Sequence, residues 1–275
     1  MALGVLAALV SALCYGLASV LQAKAFRLDP AAAGAPPLLR LIVRAPFVGG
    51  MLLDVAGFAA QFTALRVAPV FLVQAAQAAS LAVTAAGAAV LLKIRLSVRD
   101  WAAVATTCAG LAALGFAAGP ENPGRTGIGF RFALLAAVLL LTAAGFAAGR
   151  LAEPAGSAVT GLVAGLGFGV VALAARALPS LSPARLVTEP ATYALACGGV
   201  IAFLFFARGL QRGVVTAVTA ATVAGETLLP TVVGILAFGD HTRPGTAPIA
   251  VAGFVATLAG AVLLAHFGEV EPPKT

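Results

Sequence analysis

Charge is what this sequence has least of. Only 10% of its 275 residues are Asp, Glu, Lys or Arg, where a globular chain carries about 25%. Histidine occurs twice and cysteine three times. Cys14, Cys108 and Cys197 each lie inside an apolar run without CxxC spacing, which excludes a disulfide framework or a thiolate metal site and leaves them as small buried residues. There is no HExxH, no GxSxG and no phosphate-binding glycine loop after a strand, so no motif points to an enzyme, and none implies a cofactor. The net charge of +7 and pI near 10.2 suggest nucleic acid at first sight. The basic residues fall in short connections between apolar runs, however, where membrane orientation accounts for them. No nucleic-acid partner is expected.

What is abundant is apolar surface: 61% of the residues are hydrophobic and the mean hydropathy is +1.05. The runs Met1 to Ala23 and Val67 to Leu92 contain no charge at all, and each exceeds the ~18 residues that mark a membrane-spanning helix. Lipid satisfies no backbone N–H or C=O, so the spans must be helices or a closed barrel; continuous apolar runs choose helices. The expected fold is an all-α polytopic bundle, a single integral membrane domain over residues 1–275 with the lipid bilayer as its partner. The uncharged first 23 residues run a full bilayer width and lack the basic start of a secretory signal, so they read as an uncleaved first helix.

Cutting the chain at its basic, proline and glycine clusters gives helices near 2–23, 45–65, 68–92, 101–118, 131–149, 155–176, 190–207, 214–238 and 246–267. The longest connection, KAFRLDPAAAGAPPLLRLIVR, has a proline and glycine content that argues against a further span. In this layout Lys24, Arg27, Arg40, Arg44, Lys93, Arg95, Arg99, Arg150, Arg208, Arg212 and Lys274 share one side, eleven of the 17 basic residues. Arg66, Arg125, Arg131, Arg176, Arg185 and Arg243 make up the other six. The richer side is expected to be cytoplasmic, with the N-terminus outside and the C-terminus inside a cell membrane.

The chain also repeats itself. ALRVAPVFLVQAAQAASLAVTAAGAAVLL from Ala64 aligns without a gap to GLQRGVVTAVTAATVAGETLLPTVVGILA from Gly209, CAGLAALGF at Cys108 matches LAGAVLLAH at Leu258, and ALVSALCYG from Ala8 resembles GLVAGLGFG from Gly161. Helices 1–4 (residues 1–118) would then repeat as helices 6–9 (155–267), with the helix at 131–149 as connector. One intervening span makes the second copy enter from the opposite side, the inverted-repeat plan of many secondary transporters, whose substrate site lies near the midplane.

QFTALRVAPVFLVQAAQAASL and FFARGLQRGVVTAVTAATVAGETLLPTVVGILAFGD resemble the helix-turn-helix segments of the two halves in the drug/metabolite transporter (EamA-like) superfamily, and the resemblance covers nearly the whole chain. Nine helices and the Ala68-Pro69 turn are most similar to the NIPA-type magnesium transporter branch. That branch has a GExxNF-like phrase where this chain has GFAAQF, with Phe58 in the acidic position and Gln61 in the amide position. Asp54 lies one turn earlier on the same helix face. The resemblance implies a transporter of a small solute, or alternatively of a divalent cation such as magnesium.

Two carboxylates stand deep in predicted spans, Asp54 in the second and Glu226 in the eighth. An acidic side chain at such depth costs roughly 2.5–3.5 kcal/mol on insertion scales. Either it serves as a protonation or cation site facing a central cavity, uncharged when no cation is near, or it is a protonated carboxyl hydrogen-bonded to neighbouring Thr, Ser or Gln with no role in transport. Gln74 and Gln77, aligned with Thr219 and Thr222, are candidates to bind solute across the repeat interface, or to hold the helices together. Tyr15 and Gln22 on helix 1 are further candidates. Pro230 removes a helix hydrogen bond and frees the Glu226 carbonyl. Gly161, Gly165 and Gly169 read as a close-packing stripe, and His241 and His266 as interfacial residues. Glu226 is expected to face a polar interior formed by helices 1, 2, 3 and 8. The sequence thus suggests a solute transporter working by alternating access, or else a membrane scaffold whose carboxylates only pin helices; a homodimer is compatible with either.

Overall fold

The computed structural model describes residues 2–27, 45–93, 96–119, 126–153, 155–179, 182–212 and 215–265. Among these residues the protein is an all-α bundle with nine helices long and apolar enough to cross a membrane. They are α1 (Ala2–Arg27), α2 (Ala45–Val67), α3 (Val70–Leu91), α4 (Val98–Ala117), α5 (Ile128–Ala148), α6 (Ala155–Ala177), α7 (Pro190–Arg212), α8 (Val215–Phe238) and α9 (Ala247–Ala265), with a single extra turn at Pro183–Leu186. The first four residues of the long first connection, Lys24 to Arg27, belong to α1, and its remainder, 28–44, with Arg40 and Arg44, lies outside the described residues, as do Arg95, Arg125, His266 and Lys274.

Helix ends depart from the expected cuts where a charged residue belongs to a helix and not to a loop. The α4 helix starts three residues earlier than expected because Ser97 and Asp100 form a reciprocal capping box. Arg131 lies inside the first turns of α5 and pairs with Glu189 at 2.9 Å, and Arg208 lies inside α7. Long basic side chains can run along a helix to reach the interface, so basic residues do not by themselves end a span. Pro190 opens α7, the position at which a missing N–H costs nothing.

Apolar side chains such as Leu140, Val200 and Leu236 point outward over the helical surface, as lipid contact demands. The interior instead uses small residues. A Cβ on Gly161 would stand 2.6 Å from the Val218 carbonyl oxygen, one on Gly165 would run into the Thr222 backbone, and one on Gly169 would meet the Pro230 ring at 2.7 Å; α6 and α8 pack backbone to backbone. Gly16, the counterpart of Gly169 in the sequence alignment, meets the Ser80 carbonyl on α3 at 2.8 Å. Hydroxyls in this dry interior turn back on their own helices, Thr107 to the Ala103 carbonyl at 2.9 Å and Thr227 to that of Val223 at 2.6 Å.

Helix pairing follows the same order in the two halves. The α1 helix packs on α2 and α3, and α3 on α4; likewise α6 packs on α7 and α8, and α8 on α9. Contacts of α4 with α9, of α3 with both α8 and α9, and of α2 with α6 join the halves. The α4–α9 contact is reciprocal: Gly110 lies against Thr257, and Gly260 against Thr107. Because Gly110 and Thr107 align with Gly260 and Thr257 in sequence, each contact is the counterpart of the other, as at a two-fold axis.

Candidate functional site

The site begins with the bond that Pro230 cannot make. Within α8 its ring nitrogen has no hydrogen to give the carbonyl of Glu226. That acceptor is taken up from the neighbouring helix, where the side-chain amide of Gln74 donates Nε2–H to the Glu226 carbonyl oxygen. Only the NH₂ end of an amide donates, so this contact fixes which way the Gln74 side chain is turned. Its own Oε1 is left buried without a hydrogen-bond partner among the described residues, as is Oε1 of Gln77 one turn further along α3.

Both glutamines border a cavity of about 430 Å³. Tyr15, Gln61, Gln74, Gln77 and Glu226 supply its polar lining, and Phe58, Phe62, Phe168 and Phe203 its aromatic walls. Gly199, Ala172 and Ala175 leave the space open by their small size. Tyr15 donates its hydroxyl to Gln61 Oε1 at 3.0 Å, joining α1 to α2. Among the described residues no Lys, Arg or His lines the space. The Glu226 carboxyl has no ion pair and no side-chain hydrogen bond among the described residues.

Of the candidate binding residues, Tyr15, Gln61, Gln74, Gln77 and Glu226 meet here, whereas Gln22, Asp54, Thr219 and Thr222 do not. Asp54 does not line the cavity; it accepts a 2.6 Å hydrogen bond from Gln22, although Tyr15 lies within electrostatic reach of Asp54 and Glu226 alike. Thr222 is turned toward α6, its hydroxyl 2.9 Å from the carbonyls of Gly161 and Val218, because the glycine stripe draws that face of α8 into contact. Thr219 is likewise absent from the lining. The expected surround of α1, α2, α3 and α8 is present, but α6 and α7 complete it with the apolar wall.

A second polar cluster at one end of the bundle escaped sequence reading. Gly239, at φ 67°, ends α8 in the left-handed conformation that favours glycine. Asp240 is thereby carried into a buried ion pair with Arg176 at 2.7 Å. Arg176 also donates to the carbonyls of Leu65 and Ala68, while Val70 N–H reaches Asp240 Oδ2 at 2.6 Å. The cluster ties the α2–α3 turn, the end of α6 and the α8–α9 connection together. Burial pushes the Asp240 carboxyl above its usual range, and the Arg176 guanidinium and Val70 N–H pull it back. Gly119 N–H donates to the His241 carbonyl at 3.0 Å, bringing the end of α4 to the same place. A lone arginine in the last turn of a charge-free helix and a lone aspartate after a glycine were the available signals.

No protein-family model, curated protein or solved structure matches the chain.

Proposed function

We propose that this multi-pass membrane protein is a secondary transporter of a small solute, of the drug/metabolite transporter type, working by alternating access in the cytoplasmic membrane with its C-terminus inside. The observation that carries the reading is the cavity between the two halves of the bundle, with one partnerless carboxylate in its wall. An acidic group at such depth is costly and needs a compensating proton or cation. Support for the inverted repeat comes from the matched helix pairing and the reciprocal α4–α9 contact. In this reading the Arg176–Asp240 cluster closes one end, and the solute leaves that way only when the cluster parts. A magnesium carrier is less well supported: Mg²⁺ asks for several oxygen ligands, and the second carboxylate, Asp54, is held by Gln22 away from the Glu226 cavity.

Purified protein in proteoliposomes loaded with a pH-sensitive dye tests the reading. Addition of the right solute from a panel of amines, amino acids, sugars, carboxylates and divalent cations is expected to produce saturable flux or solute-driven proton movement. Flux with none of them would favour a scaffold.

A further inference from the structure

We infer that the Glu226 cavity takes a small primary ammonium compound with an apolar body. The inference rests on the transport reading for what the cavity is used for, but the ligand class follows from the lining alone.

The polar part of the wall centres on one carboxyl, with the Tyr15 hydroxyl and the amides of Gln61, Gln74 and Gln77 around it. Glu226 offers a carboxylate without a cationic partner. The Gln74 NH₂ serves the carbonyl Pro230 leaves open, and the Tyr15 hydroxyl gives its hydrogen to Gln61, which leaves the Tyr15 oxygen as an acceptor beside the carboxyl. Buried acceptors without donors carry a desolvation penalty that a ligand N–H removes. An –NH₃⁺ group brings three N–H donors and one positive charge to a place with one unpartnered carboxyl and the Tyr15 oxygen. Aromatic faces of Phe58, Phe168 and Phe203 border the same space and suit both a cation and an apolar substituent.

The same lining argues against other ligands. A quaternary ammonium has the charge but no N–H for the Glu226 carboxylate or the Tyr15 oxygen. An amino acid brings a carboxylate, and among the described residues no Lys, Arg or His lines the cavity to receive it. A bare metal ion leaves most of a 430 Å³ space unused, given that a water molecule takes about 30 Å³.

Equilibrium binding to the purified full-length protein in lipid nanodiscs tests this with four probes that share one ring: phenethylamine, its N,N,N-trimethyl derivative, phenylalanine and phenethyl alcohol. Phenethylamine is expected to bind saturably and at least about tenfold more tightly than the other three, with millimolar Mg²⁺ failing to displace it. Glu226→Gln should weaken it by about tenfold or more, and Tyr15→Phe by a few-fold, both in variants that remain monodisperse. Equal or tighter binding of the trimethyl compound or of phenylalanine overturns the inference, as does the absence of saturable binding by any primary amine from methylamine to phenethylamine. Amine binding without flux would instead remove the transport reading and leave the ligand class standing. Flux of another solute class without amine binding would do the reverse.

Discussion

At the scale of single residues, the fold depends on how hydrogen-bonding groups are satisfied between closely packed helices. Pro230 and Gln74 form one unit, the first freeing a carbonyl and the second occupying it. Replacing Gln74 by Leu should therefore cost about 1–3 kcal/mol in the original background. In a Pro230→Ala background, where residue 230 regains its N–H, the same replacement should cost clearly less. Unfolding of all four proteins in the same detergent measures the difference, and equal costs in both backgrounds would dissolve the link. Half of this unit was legible in the sequence, since proline chemistry names the freed acceptor. Its donor was not, because the register of α3 against α8 is set by packing among many small residues. Asp54 shows the same limit: depth in the span is readable, whereas its engagement by Gln22 needs the crossing of α1 and α2.

At the scale of helices, glycine position decides how closely two backbones approach. Gly165 has no room for a side chain against Thr222, whereas Gly115 on α4 meets nothing within 4 Å of where a Cβ would stand. Gly165→Ala should destabilise the protein by about 1–3 kcal/mol through overpacking. Gly115→Ala should be neutral or stabilising by up to about 1 kcal/mol, from the lower backbone entropy of the unfolded chain. Thermal unfolding of both variants, measured side by side, is the check. The glycine stripe on α6 could be read from the sequence as a packing face. That it faces α8 could not, and this contact turns Thr222 out of the cavity and brings Phe168 in.

At the scale of the whole molecule, nine spans were legible because a bilayer imposes length and apolarity on each of them. Their ends were less so, since Arg131 and Arg208 lie inside helices that the charge pattern had cut short. The bias of basic residues gives an orientation that a fusion can test: a C-terminal alkaline phosphatase should be inactive and a C-terminal green fluorescent protein bright, and the opposite pair would reverse the topology. The central claim is that Glu226 is the coupling group of a transporter and not a structural carboxyl. Glu226→Gln keeps size and hydrogen-bonding capacity while removing titration, so the variant should express and unfold nearly as the parent does. Its solute-coupled proton flux in proteoliposomes is the most direct measurement. The account predicts that this flux is abolished, and a variant that transports normally with an unchanged pH profile would contradict it.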